Sequence, residues 1–214
     1  MIELTPDPGD LFPKGGPLLL VGTGPSLDTF NRWDDYPSTI ALNETVLVAP
    51  NAIGLAWDGD PVRRIGWVLK KDGLPPPFML VEEDIYAGRR GKGTGWVRDY
   101  CSYFNRLQCK KECCRIGTAS VAVGIADRFG IKEIHTVGME GFWWWRRVAE
   151  SPSDRPDPSK APDGTFGCSE AVQAILRRVD GTLANRGGPQ GAYVRIARAF
   201  QSAATSRGIE LKEA

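Results

Sequence analysis

A short apolar run, Pro17-Leu18-Leu19-Leu20-Val21, stops at Gly22-Thr23-Gly24-Pro25-Ser26 and continues into a polar stretch carrying Leu27, Phe30 and Trp33. Such a run suits a strand buried on both faces of a parallel sheet. The spacing after it predicts a short helix over Ser26–Trp33. A strand that turns through Gly-x-Gly into a helix aims free backbone N–H groups, and the positive end of the helix dipole, at an anion. Gly22 and Gly24 permit a tight turn and close approach of a ligand. Pro25 has no N–H to leave unpaired at the helix start, and Ser26 adds a hydroxyl that binds phosphate or caps the helix. The turn Gly22, Thr23, Gly24, Pro25, Ser26 is therefore expected to hold the phosphate of a nucleotide or other phosphorylated ligand. The plainer alternative is a tight turn with no ligand. Two standard phosphate motifs are excluded. Leu27 stands where a dinucleotide fingerprint needs its third Gly, and no Gly-Lys-Ser/Thr run exists.

Further strands are expected at Thr39–Asn43, Ile53–Asp58, Phe78–Glu82, Ile134–Gly138 and Ile209–Leu211. Helices are expected at Thr118–Phe129, Glu170–Val179 and Tyr193–Ser206, with a helix also indicated over Trp96–Leu107. No element is assigned between Asp58 and Phe78. Gly88–Gly95, with Arg89, Arg90 and Lys92, reads as a flexible basic loop. Residues 142–168, with Trp143-Trp144-Trp145-Arg146-Arg147 and then four prolines between Ser151 and Gly167, read as a long loop or lid. Strands alternating with helices define an α/β, Rossmann-like three-layer sandwich with a mostly parallel sheet, formed by one domain over 1–214.

The 27 basic and 26 acidic residues leave a net charge of +1, so overall charge does not mark a polyanion binder. No apolar run reaches the roughly 18 residues of a membrane helix. The start, Met1-Ile2-Glu3-Leu4-Thr5-Pro6-Asp7, is not a signal peptide, and the expected location is the cytoplasm. Cys101, Cys109, Cys113 and Cys114 are spaced C-x7-C-x3-C-C, without the C-x2-C knuckle of common zinc sites. Together with Cys168 they are expected to be reduced structural thiols, with no metal bound.

Gly22-Thr23-Gly24-Pro25-Ser26-Leu27, Ala41-Leu42-Asn43 and Asp58 at a strand end resemble two related groups. These are the family-42 bacterial sialyltransferases, which use a cytidine-monophosphate sugar, and the archaeal-type hydroxymethylpterin diphosphokinases with their relatives. The second half is similar in the same way. Gly117-Thr118-Ala119-Ser120 opens a helix, and Gly130-Ile131-Lys132-Glu133-Ile134-His135-Thr136-Val137-Gly138-Met139-Glu140 follows. The resemblance covers roughly residues 17–60 and 115–142. It implies a Rossmann-like fold with a nucleotide pocket. Glu140 stands where these families have Asp, and Pro50-Asn51 replaces the Pro-Asp of the pterin kinases. The sole histidine, His135, lies within a strand rather than on the later loop that carries the sialyltransferase base.

The candidate residues follow from these two lines. Asn43 is a nucleotide contact or a turn residue; Thr118 and Ser120 are nucleotide contacts or helix caps. Asp58 and Glu140, at strand ends where open α/β sheets bind ligands, are the catalytic candidates, with Asp60 as a further carboxylate. Trp143, Trp144, Trp145 and Arg146 are candidates for acceptor binding, because aromatics beside arginines stack on bases and sugars. The alternative for the indoles is a structural anchor or an oligomer contact. His135 is expected to be structural. The favoured function is a transferase with a nucleotide-sugar donor, a glycosyltransferase in which Asp58 or Glu140 activates an acceptor hydroxyl. The acceptor is a glycan, a small molecule or a nucleic acid. The alternatives are a diphosphokinase-like phosphotransferase, with Mg2+ held by Asp58 and Glu140, and a non-catalytic nucleotide-binding protein.

Overall fold

The computed structural model describes residues 2–12, 15–105, 117–149, 156–180 and 190–214. Its centre is an eight-stranded sheet. The strands are β1 (Leu4–Thr5), β2 (Leu18–Val21), β3 (Ser38–Leu42), β4 (Ile53–Ala56), β5 (Met79–Glu82), β6 (Cys101–Phe104), β7 (Glu133–Val137) and β8 (Glu210–Glu213). Their order is β1-β6-β5-β4-β3-β2-β7-β8. All neighbours are parallel except the edge pair β1·β6. The helices are α1 (Gly59–Asp72), α2 (Glu83–Tyr86), α3 (Thr118–Arg128), α4 (Glu140–Val148), α5 (Glu170–Asp180) and α6 (Gln190–Thr205).

The strands alternate between two apolar layers, as a sheet covered on both faces requires. Leu18, Leu20, Ile40, Leu42, Leu55 and Ile134 point to one side, where Val121, Ile125 and Ala122 of α3, Phe142 of α4 and Phe200 of α6 pack on them. Leu19, Val21, Ala41, Ala56, Val81 and Val137 point to the other, against Val62, Ile65 and Leu69 of α1 and Val172 of α5. The result is the expected α/β three-layer sandwich. No helix among the described residues is long and apolar enough to cross a membrane.

The structure departs from the sequence reading at several places. Ser26–Trp33 is not one helix but tight 3-10 turns at Pro25–Asp28 and Trp33–Asp35. Over its described residues the helix expected at Trp96–Leu107 is replaced: a 3-10 turn over Gly95–Tyr100 leads into β6, which the long-range pairing with β5 makes a strand, and residues 106–107 lie outside the described residues. A 14-residue helix, α1, fills the unassigned stretch after Asp58 and ends at Gly73, which has φ 64°. The basic loop is tied down at its start, where the N–H groups of Arg89 and Arg90 donate to the Asp84 carbonyl at 2.8 and 3.0 Å.

The aromatic run is also corrected. Residues 140–148 are helix α4 rather than loop, and Trp143, Trp144 and Trp145 are all buried. Successive helical residues point about 100° apart, so three in a row bury only if more than half the helix is covered. Each indole has its own neighbour. Trp143 Nε1 donates to Thr136 Oγ1 at 2.7 Å. Trp144 meets Phe166 edge-on at 5.6 Å, and Trp145 lies 6.3 Å from Phe142. The rest of the expected lid includes residues 150–155, which lie outside the described residues.

Candidate functional site

The strand order β4-β3-β2-β7-β8 makes successive connections run outward in opposite directions from β2. The strand order therefore reverses between β2 and β7, the kind of position where open α/β sheets take ligands. Helices that return the chain to a parallel neighbour begin at this same edge. The turn Gly22–Ser26, Asn43, Asp58, the start of α3 and Glu140 all follow from it, so the topology brings the expected residues to one edge of the sheet.

The turn itself is filled from within the protein. Gly22 N–H donates to Val137 O at 2.8 Å and Gly24 N–H to Gly138 O at 2.9 Å. Ser26 N–H donates to Glu140 Oε1 at 2.6 Å, and Ser26 Oγ accepts from Gly138 N–H at 2.8 Å. A Cβ on Gly22 would lie 2.3 Å from Gly138 O, and one on Gly24 would lie 1.8 Å from Glu140 Oε2. The close approach that these glycines permit is thus made by the end of β7. The anion at the start of the Pro25–Asp28 turn is the Glu140 carboxylate. This changes the role expected for Gly22, Gly24 and Ser26: in this arrangement their donors serve Val137, Gly138 and Glu140. Glu140 Oε2 is buried and has no hydrogen-bond partner among the described residues.

Residues around the turn hold it in place. The Thr23 carbonyl accepts from Ser169 N–H at 2.7 Å. Pro25 lies under Gly167, where an added Cβ would meet Pro25 Cγ at 3.2 Å. The last residues of the expected lid therefore lie against the turn. Asp28 accepts from Ser169 Oγ at 2.6 Å, Glu170 N–H at 2.7 Å and Ala171 N–H at 3.3 Å, capping α5 from outside. Burial pulls the Asp28 carboxyl upward, but those three donors together hold it below its ordinary value.

Asn43 is half-buried at the end of β3 with φ 55°, the left-handed conformation that asparagine tolerates. It opens a 3-10 turn, Asn43–Leu47, that also carries Glu44 and Thr45. The Thr45 hydroxyl lies 2.7 Å from Leu42 O and 3.2 Å from Val21 O, tying the ends of β3 and β2 together. Glu44 pairs with Arg64 of α1, and both side chains are almost fully buried. The residue type gave no signal for this pair, because α1 was not legible. Thr118 and Ser120 open α3 behind Gly117, which has φ 80° and no side chain to cap with. Ser120 is fully buried, and its Oγ has no partner among the described residues.

Asp58 is placed differently from Glu140. Its side chain is 75% exposed and lies 3.8 Å from Arg90. The Glu140 carboxylate covers the turn after β2, whereas Asp58 follows β4 two strands away, about 10 Å at the usual strand spacing. One Mg2+ needs both oxygens within about 2.1 Å, so these two carboxylates do not form one metal site. Asp60 pairs outward with Arg63 at 3.7 Å. Among the described residues no group of three His, Cys, Asp or Glu side chains is arranged to hold a metal.

His135 is held by Tyr36 Oη at Nδ1 (2.9 Å) and by Glu133 at Nε2, which suits the structural role expected. The lysine–carboxylate contact of Lys212, followed by His135 itself, holds the Glu133 carboxyl below its ordinary value. Arg146 is exposed; its guanidinium stacks on Trp143 at 5.0 Å and donates to Leu211 O at 3.2 Å. With the three indoles buried, Arg146 is the exposed member of the expected acceptor group. Cys101 is buried in β6 and Cys168 is partly buried; Cys109, Cys113 and Cys114 lie outside the described residues.

Compared with known proteins, the chain matches no family model, no curated protein and no solved structure at a significant level.

Proposed function

We propose that the chain is a nucleotide-binding transferase of the glycosyltransferase class, passing a sugar from a nucleotide-sugar donor to an acceptor hydroxyl. The observation that carries this reading is the setting of Glu140. Its Oε1 is fixed by Ser26 N–H at 2.6 Å, and its buried Oε2 has no partner among the described residues. A carboxylate oriented through one oxygen, with its other oxygen left without a partner, is suited to take a proton. In the proposed reaction Oε2 accepts the proton of the acceptor hydroxyl as that oxygen bonds to the anomeric carbon. The bond from that carbon to the donor phosphate breaks, and the nucleotide leaves with its electron pair.

Thr23, Asn43 and Thr118, partly buried near the same strand ends, supply side chains for the nucleotide, whereas Ser120 is fully buried and is not one of them. The start of α3 offers its dipole to the departing phosphate. Asp58, more distant and paired with Arg90, is a secondary contact rather than the base. The separation of Asp58 and Glu140 weighs against the Mg2+-dependent phosphotransferase alternative in the form that has them share one ion.

A thermal-shift series with nucleotides and nucleotide sugars tests the pocket. A ligand at 100 times its Kd adds about 2.7 kcal/mol, or roughly 5–11 °C for a domain of this size. A rise of that order with one nucleotide family is expected. No shift with any of them overturns the reading.

A further inference from the structure

Glu140 Oε2, the oxygen that takes the proton in the proposed reaction, is closed off in this structure. It is buried and has no hydrogen-bond partner among the described residues. Gly24 lies against it: a Cβ there would come within 1.8 Å. An acceptor hydroxyl meets this oxygen only after part of its cover moves.

A segment fitted to move borders that cover. Glu140 and Trp144 are four residues apart in α4 and so share one face of the helix. Phe166 sits edge-on to Trp144 at 5.6 Å. The next residue, Gly167, lies over Pro25, where an added Cβ would meet Pro25 Cγ at 3.2 Å. Residues 156–167 thus form a strap that ends across both neighbours of Glu140, the α4 face and the glycine turn. The strap grips the body weakly. The N–H groups of Lys160, Ala161, Thr165 and Gly167 donate within it, to the carbonyls of Asp157, Pro158, Pro162 and Gly164. Its apolar contacts with the core are Ala161 and Phe166, both only partly buried. Beyond it the chain is fixed again, because Ser169 N–H donates to Thr23 O and Ser169 Oγ to Asp28. A segment with few buried contacts, and hydrogen bonds closed on itself, opens locally at a fraction of the free energy of global unfolding.

We propose that residues 156–167 are a gate over Glu140: the strap swings about Cys168 to admit the acceptor, and the Phe166–Trp144 contact is its latch. The closed form keeps water and acceptor from the carboxylate until the latch opens. The purpose of the gate rests on the reading of Glu140 as the base; the opening itself is measured without any turnover.

The test is carboxyl labelling of the full chain with a water-soluble carbodiimide and glycine ethyl ester, each site followed by mass spectrometry. In wild type, Glu140 should label more slowly than the exposed Asp60 but at least about tenfold faster than Glu44, which is buried with Arg64 and reached only by deeper opening. Phe166→Ala removes the latch and should speed Glu140 labelling about tenfold, as expected for loss of an aromatic pair and its buried area. Phe166→Leu keeps apolar bulk without the ring and should give a smaller increase. Should the alanine variant fail to fold, Phe166→Leu and the wild-type order of rates decide. Labelling of Glu140 at the Asp60 rate, labelling no faster than that of Glu44, or an unchanged rate in the folded variants overturns the proposal. Each of these results leaves the nucleotide-sugar reading to its own assay.

Discussion

Replacing Gly24 by Ala isolates the contact between the glycine turn and Glu140. Gly24 has φ −77° and ψ 171°, a conformation open to any L residue, so the substitution brings no backbone strain. Its effect is steric: the new methyl would lie 1.8 Å from Glu140 Oε2 and 2.8 Å from Glu140 Cδ. The carboxylate must leave and release Ser26 N–H. Losing a hydrogen bond to a charged group costs about 1.5–3 kcal/mol. Restricting the unfolded chain by Gly→Ala returns about 0.4–1 kcal/mol. The net loss is therefore roughly 0.5–2.5 kcal/mol, and Tm should fall by about 1–10 °C. Urea unfolding of wild type, Gly24→Ala, Glu140→Ala and the double variant closes a cycle. In the Glu140→Ala background only the 2.9 Å approach to Gly138 O remains, so the Gly24 substitution should cost at least about 1 kcal/mol less there. Additive costs, equal within about 0.5 kcal/mol, would refute the claim that this glycine exists to admit Glu140.

Asp28→Ala should cost about 1–2 kcal/mol through loss of the α5 cap, measured by urea unfolding. Because the native Asp28 carboxyl is held below its ordinary value, its stabilising contribution is present above the unfolded pKa and is lost as pH falls through the native one. The variant's stability should accordingly decline less on acidification than that of wild type. Burial pushes the Cys101 thiol up to about 11, from an ordinary value of 9.0. At pH 8 the native thiolate fraction is then about a hundredfold lower than in the unfolded chain, so iodoacetamide labelling of Cys101 should be at least that much slower in native protein than in urea. Equal rates would contradict the burial of β6. Trp145→Ala should cost about 3–5 kcal/mol, as expected for a core indole; a loss below 1 kcal/mol by urea unfolding would return the aromatic run to the surface.

The strands that the sequence disclosed are those buried on both faces. Leu18–Val21, Ile53–Ala56 and Met79–Glu82 read as apolar runs because both layers of the sandwich demand it. Strand β6 was hidden, since Cys101-Ser102-Tyr103-Phe104 gains its identity from pairing with β5 and β1 rather than from local pattern. Helix α1 was hidden by its opening, Gly59-Asp60-Pro61, which looks like a turn; with it went Arg64 and the buried pair with Glu44. The Gly22–Ser26 turn was read as the seat of a ligand phosphate; the structure sets the Glu140 carboxylate against its Ser26 N–H. That the anion is a side chain 114 residues away in sequence from Ser26 was not legible, because only the β2·β7 pairing brings Glu140 there. The three indoles were misread for a related reason: burial of Trp143, Trp144 and Trp145 depends on α6 and the segment around Phe166 enclosing α4 from several sides.

The most direct test of the proposed function is release of free nucleotide from a panel of nucleotide sugars, with acceptor sugars and with water, by wild type and Glu140→Gln. The substitution keeps the side chain's size and removes its ability to take a proton. Wild type should turn over one nucleotide-sugar class. Glu140→Gln should lower that rate by about 10²–10⁴-fold, the usual contribution of a general base, while its nucleotide Kd changes less than about tenfold, under 1.4 kcal/mol. Turnover by Glu140→Gln at the wild-type rate, or no turnover of any donor by wild type, would contradict the account.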